Sequence, residues 1–277
     1  MILGDVSFSI KPNGMRPERD SVFLCFQKGK VLLAEMDGAS ALPTLAQVES
    51  LLPEGTVPFE LAHTKDQDVF VPEPLAGREV PQGNGLTYQP IRAFHSMPFS
   101  QGAMVTSAWH LWSWYRSNRF CGECGAPTEH FPEERALRCT RCGNLIFPRI
   151  APAVITAITD GEYILLARNV ASELNHYALI AGYVEVGETL EHAVKREVME
   201  EVGLEIDGLR YLGDQPWGVS GALMFAFHAK ADRAAPIRLQ ESELADAKWV
   251  RREELTPVQN PASIAAELME RFRKGTL

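Results

Sequence analysis

Between Gly182 and Leu204 the chain reads Gly-Tyr-Val-Glu-Val-Gly-Glu188 and then, seven residues on, Arg196-Glu197-Val198-Met199-Glu200-Glu201-Val202-Gly203-Leu204. No other stretch constrains the fold as tightly. At about 100° per residue, counted from Leu190, the residues Ala193, Val194 and Val198 share one arc of a helix. Glu197 and Glu201 fall inside that arc and Glu200 lies beside it, whereas His192, Lys195 and Met199 face away. The three glutamates stand at i, i+3 and i+4 and so share a face. A solvated acidic face would put them on the other side. Carboxylates crowded against a core repel one another and rise in pKa. A hard divalent cation, Mg2+ or Mn2+, removes that penalty because it takes oxygen ligands, and Arg196 can offset part of the charge. A structural ion network is the alternative.

A second constellation is made of cysteines. Cys121-Gly-Glu-Cys124 and Cys139-Thr-Arg-Cys142 are two CxxC knuckles, each followed by a glycine, Gly125 or Gly143, where the turn needs positive φ. Four thiolates so spaced close a tetrahedron around Zn2+ and leave no position open for chemistry. A redox dithiol needs only one pair. The fifth cysteine, Cys25, lies in Val-Phe-Leu-Cys-Phe and reads as a small buried apolar residue.

With 277 residues the chain is long enough for about two domains. A net charge of −9 argues against holding nucleic acid by bulk charge, though not against an anionic substrate brought in by a metal. The opening segment has no basic region and no apolar run before Asp5, and the apolar stretch Val105–Tyr115 is too short to span a bilayer. The expectation is a cytoplasmic chain without membrane contact. Short apolar runs (21–26, 30–35) and a Trp-rich helix (101–119) precede the cysteines. Strands are expected at 153–159 and 162–167 around an Asp160-Gly161 turn, and at 177–186, 209–212, 222–228 and 247–250. Helices are expected at 189–202, stopped by Gly203, and at 262–274 after Pro261. The division expected is an N-terminal domain 1–118, a zinc ribbon 119–148 and a catalytic domain 149–277.

The stretch 182–204 matches G-x5-E-x7-R-E-U-x-E-E-x-G-U without a departure, and on it the chain resembles the Nudix hydrolases. Ribbon, then Phe147-Pro148-Arg149-Ile150-Ala151-Pro152, then the box, then Gln215-Pro216-Trp217 is similar to the bacterial NADH pyrophosphatase and NAD-cap decapping group. The resemblance runs from about Pro90 to the C-terminus. It implies an α+β chain: a Nudix α/β/α sandwich with a mixed sheet, preceded by a four-Cys zinc ribbon and a smaller N-terminal α+β domain. It implies hydrolysis of NAD(H) to AMP and nicotinamide mononucleotide with Mg2+ or Mn2+, the same cut on NAD-capped RNA 5′ ends, and a homodimer. The rivals are another Nudix substrate (ADP-ribose, a diadenosine polyphosphate, FAD) and a non-catalytic nucleotide or RNA sensor, which would have no need of three carboxylates.

The resemblance also implies roles. Glu197 and Glu201 are metal ligands, Glu200 is a ligand or the base, and the carbonyl of Ala181 and the carboxylate of Glu243 join them. Glu188 and Arg196 hold the box together. Tyr183 and Phe147 stack on a base, with core packing as the bland reading. Arg92, Glu134 and Ala265 contact substrate, as does the run Gln215, Pro216, Trp217, Gly218, Val219, Ser220, Gly221 and Ala222. Here the sequence departs from the family's Pro-Phe-Pro-x-Ser after Gln-Pro-Trp: both prolines and the aromatic are gone, which should loosen the loop.

Overall fold

The computed structural model describes residues 6–9, 15–36, 38–74, 80–170, 176–257 and 262–277. The chain forms two compact units, one of Ile150–Pro216 with Ala222–Leu277, the other of Ile2–Arg149 with Trp217–Gly221.

The first unit is a mixed six-stranded sheet between two helices. Strand order is Asp207–Trp217, Ala222–Lys230, Ala151–Asp160, Tyr163–Asn169, Leu244–Arg251, with Ile180–Tyr183 also pairing Ala151–Asp160. Ala151–Asp160 runs parallel to Ala222–Lys230 and antiparallel to Tyr163–Asn169. Alternation along the strands builds both layers. Val154, Ile158, Leu165, Ala167 and Phe227 pack with Ala193, Val194, Val198 and Val202 of helix Leu190–Val202. The intervening Ile155, Ala157, Ile164, Leu166 and Ala226 pack with Ile264, Leu268 and Phe272 of helix Ile264–Arg273. This is the α/β/α sandwich expected.

Helix Leu190–Val202 has the expected ends. Thr189 Oγ1 accepts from His192 N at the start, and Gly203 at φ 67° closes the other end. The first hairpin turns at Gly161, φ 56°, where Asp160 pairs Tyr163. Two expectations need correcting. The strand expected at 177–186 shrinks to Ile180–Tyr183, with Ala178 bridging Ala167, because the segment from Val184 to Thr189 curls to bring Glu188 back to Glu185 N. The strand expected at 209–212 extends over Asp207–Trp217, so Gln215, Pro216 and Trp217 end a strand, and Ala222 begins the next. Ala265 lies inside the last helix. Pro261 lies outside the described residues.

The second unit holds two four-stranded sheets of short strands. Val22, Phe23 and the run Lys30–Met36 supply them from the two apolar runs read in the sequence. Their core is Phe23, Cys25, Leu32, Val48, Phe70 and Leu86. Cys25 is fully buried and burial pushes its thiol pKa up, as suits an inert apolar residue. The cysteine segment forms its own three-stranded sheet, in the order Leu145–Ile146, Ala136–Cys139, Thr128–Phe131. Leu137 and Ile146 of that sheet pack on Trp114 and Tyr115 of helix Phe99–Ser117 and on Phe59. Arg135 reaches out of the same sheet to donate to the carbonyl oxygens of Ser9 and, at 3.4 Å, Glu60. No described helix is long and apolar enough to cross a membrane.

Gly203 carries the helix end that bears Glu201. A Cβ there would meet Arg238 Cβ at 2.9 Å. Gly203→Ala is expected to destabilise the protein by about 1–2 kcal/mol from the left-handed backbone alone, read as a lower urea midpoint at unchanged m-value. An unchanged midpoint would show that this cap is dispensable.

Candidate active site and zinc-ribbon centre

Strand Ile180–Tyr183 packs against helix Leu190–Val202, and the close approach is made at Gly182. A Cβ on Gly182 would fall 2.0 Å from Glu197 Cδ. The glycine therefore leaves the space that the Glu197 carboxylate fills. Ala181, whose carbonyl is a candidate ligand, immediately precedes it.

Arg196 organises the rest. Its Nε and Nη2 donate to Glu188 Oε1 and Oε2, both at 2.9 Å, in a bidentate fork. Its Nη1 donates to Glu197 Oε1 at 2.7 Å and Glu200 Oε2 at 2.9 Å, and Nη2 also reaches Tyr183 O at 2.9 Å. Arg196 and then the Glu185 N–H hold the Glu188 carboxyl below its ordinary range. Those carboxylates pull the guanidinium above its own. One arginine thus fixes the loop, the strand end and two helix carboxylates.

Glu201 lies outside this arrangement. It is 6% exposed, and among the described residues no cation or hydrogen-bond donor meets its carboxylate. Burial, and then the charges of Glu197, Glu243 and Glu200, push its carboxyl up to about 7. Burial also raises Glu197, with Glu200 and Glu243 adding to it against the pull of Arg196. Glu243 is exposed, its Oε1 accepting from Gln240 Nε2 at 3.2 Å, yet its charge is felt by both buried glutamates. Among the described residues only the four ribbon cysteines form a group of three or more candidate ligands that brings its ligand atoms within 4.8 Å of one another. The charges of Glu200 and Glu243 are nonetheless felt by Glu197 and Glu201, and Arg196 pairs with just two of these four glutamates. Their oxygen donors and surplus charge fit a hard divalent cation.

Residues expected to touch substrate are placed variously. Tyr183 (50% exposed) and Phe147 (51%) are both open rings and not core residues. Arg92 is exposed on the 3-10 turn Ile91–Ser96, and Glu134 is exposed between two ribbon strands. Gln215 is buried: its Oε1 accepts from Ile264 N at 2.6 Å and its Nε2 donates to Ala262 O at 3.3 Å, so it pins the start of the helix that carries Ala265. Pro216 is exposed. The turn after Trp217 is not slack. Ser220 N and Gly221 N both donate to Trp217 O, at 3.3 and 3.1 Å, and a Cβ on Gly218 would sit 2.1 Å from Thr106 O. Close packing takes the place of the missing prolines. The helix-pinning role of Gln215 and the fit of Gly218 have no signal in the local sequence.

In the ribbon, Cys121, Cys124, Cys139 and Cys142 bring their Sγ atoms within 4.8 Å of one another. The pairs Cys121–Cys142 and Cys124–Cys139 stand at 3.7 and 3.4 Å, close to the edge of about 3.8 Å for a ZnS4 tetrahedron with 2.3 Å bonds. The N–H groups of Cys142 and Arg141 donate to Cys139 Sγ, each at 3.4 Å, and favour its thiolate. Gly125 and Gly143 have φ of 72° and 75°. The donor set and spacing fit structural zinc.

Two family models match. The NUDIX domain covers residues 149–272 and the NADH pyrophosphatase zinc ribbon domain covers residues 116–147. A Pseudomonas aeruginosa protein named NAD-capped RNA hydrolase NudC is 37% identical over 214 residues, 76% of this chain and 75% of that protein. A Salmonella typhi protein of the same name is 43% identical over 160 residues, 58% of this chain and 62% of that one. The crystal structure of a NUDIX hydrolase from Nitrosomonas europaea is 19% identical with a TM-score of 0.48, covering 56% of this chain and 90% of that one.

Replacing Cys139 with Ser is expected to release zinc and lower the melting temperature, since a ribbon this small folds on its metal; elemental analysis showing full zinc in the variant would refute the ligand set. A second expectation concerns pH. Glu201 is neutral more readily in the fold than in the unfolded chain, so its contribution to stability is full below its unfolded value of 4.5 and is lost as the pH rises through about 7. In buffer free of divalent cations this loss amounts to about 3 kcal/mol, and Glu201→Gln abolishes it. Urea unfolding of both proteins at pH 4.5 and about pH 8 measures the difference. An equal loss in both would show that the carboxylate is already compensated.

Proposed function

The chain belongs to the Nudix hydrolases, in the group that carries an NADH pyrophosphatase zinc ribbon, and from that premise we propose that it hydrolyses the pyrophosphate bond of NAD(H) to AMP and nicotinamide mononucleotide, and makes the same cut at the NAD cap of an RNA 5′ end. The observation that carries the reading is the surplus of negative charge at Glu197, Glu200, Glu201 and Glu243: the buried glutamates feel the charges of the others, and among the described residues Arg196 pairs with Glu197 and Glu200 while no cation meets Glu201, a surplus that a divalent ion would offset.

Glu197, Glu201 and Glu243, with Glu200 and the Ala181 carbonyl, would hold Mg2+ or Mn2+. When bound, the ion neutralises charge on pyrophosphate oxygens and lowers the pKa of a coordinated water. Glu200 is the most open helix carboxylate of the set, its side chain 52% exposed, and is suited to orient the attacking water or take its proton. Arg196 keeps Glu197 and Glu200 in place throughout. Tyr183 and Phe147 offer open faces to a base, and stacking tolerates different rings. Arg92 offers a planar fork to a phosphate. Glu134, Ala265 and the run Gln215–Ala222 complete the proposed contacts, with Gln215 acting through the last helix. The domains are taken as 1–118, 119–148 and 149–277, and the enzyme as a cytoplasmic homodimer. Four reduced cysteines holding zinc suit a reducing compartment, and sedimentation tests the dimer.

The experiment that tests the function is a chromatographic product assay on NADH, NAD, ADP-ribose, FAD, a diadenosine polyphosphate and NAD-capped RNA. AMP and nicotinamide mononucleotide are expected from NADH, and no cleavage of any adenine dinucleotide would overturn the reading in favour of a nucleotide sensor. The turn Gly218–Ala222 carries no aromatic ring and one polar side chain, that of Ser220, for the far half of the substrate. The lead of NADH over ADP-ribose in kcat/KM is therefore expected to stay below about a thousandfold, since one lost contact is worth roughly 10–200-fold. Glu197→Gln is expected to lower kcat by about a hundredfold or more at saturating Mg2+ or Mn2+ without unfolding the chain. Near-normal turnover in that variant would remove Glu197 from the metal site.

A further inference from the structure

The sheet of the sandwich has a second polar region, on the face away from the glutamates. Ile155, Ala157, Ala226 and Leu212 pack under helix Ile264–Arg273. The alternation that puts them there continues along the same strands to Thr159, to His228 and Lys230, and to Arg210 and Gly208. Where the helix stops covering it, the apolar face of the sheet therefore turns polar. A cavity of about 370 Å³ opens there, lined by Thr159, His228, Lys230, Arg252, Phe272 and Gly275 among others, within the roughly 300–1,000 Å³ range of small-molecule sites. Its walls are fixed. Arg252 Nη1 donates to Phe272 O at 2.9 Å, its guanidinium lies 4.7 Å over the Phe272 ring, and its Nε pairs with Glu162 at 2.7 Å. Thr159 Oγ1 and His228 Nε2 hold each other at 2.8 Å, which leaves Nδ1 of that ring. A Cβ on Gly208 would meet Lys230 Cδ at 3.9 Å, so the lysine stem runs past this glycine.

The cations here are not balanced. The carboxylate lining the cavity is Asp160, whose Oδ2 already accepts from Arg233 N at 3.1 Å. Among the described residues neither Lys230 nor Arg210 forms an ion pair, with a side-chain carboxylate or with the chain end at Leu277. Burial, and then the charges of Arg210 and Lys230, hold the His228 imidazole below its ordinary range, as unopposed positive charge does. A phosphate group answers that imbalance, since its oxygens accept from an ammonium and an imidazole N–H together. We propose that this cavity is a second anion site, which takes a phosphate group, free or as a phosphomonoester, on Lys230 and His228 with Arg210 adding charge. Every residue it needs belongs to the sandwich, and it stands whatever bond the glutamates cut.

The test follows histidine ring proton resonances by NMR in the full-length, zinc-loaded protein, at one pH near neutrality and without added divalent cations. His228 is assigned through His228→Gln. Inorganic phosphate, AMP, adenosine or sodium chloride at matched ionic strength is then added. Phosphate is expected to move the His228 resonance saturably, while adenosine and chloride leave it in place. AMP separates the two sources: a saturable response means that a phosphomonoester is accepted, and silence beside a response to phosphate means the free ion. Lys230 is exposed, so Lys230→Gln is expected to keep the fold and to weaken phosphate binding by about tenfold or more, as loss of a hydrogen bond from a charged group does. Lys195→Gln removes the same charge from the helix on the other sheet face and is expected to leave binding unchanged. No saturable shift of His228 with phosphate, an equal shift with chloride or adenosine, or a Lys230→Gln protein that binds phosphate as tightly as the wild type would overturn the site.

Discussion

A helix that turns carboxylates toward its own sheet must have them neutralised or protonated, and Arg196 is what makes the arrangement tolerable. Its guanidinium sits on the helix, yet its donors reach the preceding loop through Glu188 and the strand through Tyr183 O. The planar fork can satisfy several acceptors at once, which an ammonium group cannot do with fixed geometry. The remaining charge stays on Glu201, Glu197 and Glu243, where the fold keeps it close together. Arg196 therefore compensates these carboxylates only in part.

The two candidate metal centres follow opposite logic. In the ribbon four soft sulfur ligands close on one another and the knuckle N–H groups favour the thiolate, so the site is saturated and serves the fold. Leu137, Ile146 and Arg135 then tie that small sheet to helix Phe99–Ser117, to Ser9 and to the strand Pro58–His63 that bears Glu60. On helix Leu190–Val202 the candidate ligands are hard oxygens on side chains of graded exposure, from buried Glu201 to open Glu200.

What the sequence made legible was what depends on near neighbours. The period of apolar residues from Leu190 to Val202, Thr189 and Gly203 at its ends, and the paired CxxC knuckles are all read within a few residues, and the structure has them where expected. The Glu188–Arg196 pairing was legible through the resemblance of 182–204 to the Nudix box. The long strand Asp207–Trp217 was not, since Gly208, Gly213 and Pro216 interrupt its pattern and its pairing with Ala222–Lys230 overrides them. Gln215 gripping Ile264 N is a contact across the fold with no local trace. Nor could spacing reveal that Gly182 is required by the carboxyl carbon of Glu197. In the N-terminal half, strands of two or three residues carry too little periodicity for their bounds and pairing to be read, even where, as at Val22–Phe23, the apolar run itself is plain.

The turn Trp217–Gly221 lies between two strands of the sandwich yet groups with the other compact unit. Among the described residues the chain accordingly passes between the units three times: once near Arg149 and twice at the ends of this turn. A module joined by one crossing can be copied, deleted or fused by moving a single boundary. Here a gene fragment cut at that boundary would carry away the sandwich together with a turn shaped, down to the glycine against Thr106 O, for the half left behind. Inheritance of the two halves is therefore coupled, and recombination that exchanges one of them must rewrite these five residues to match.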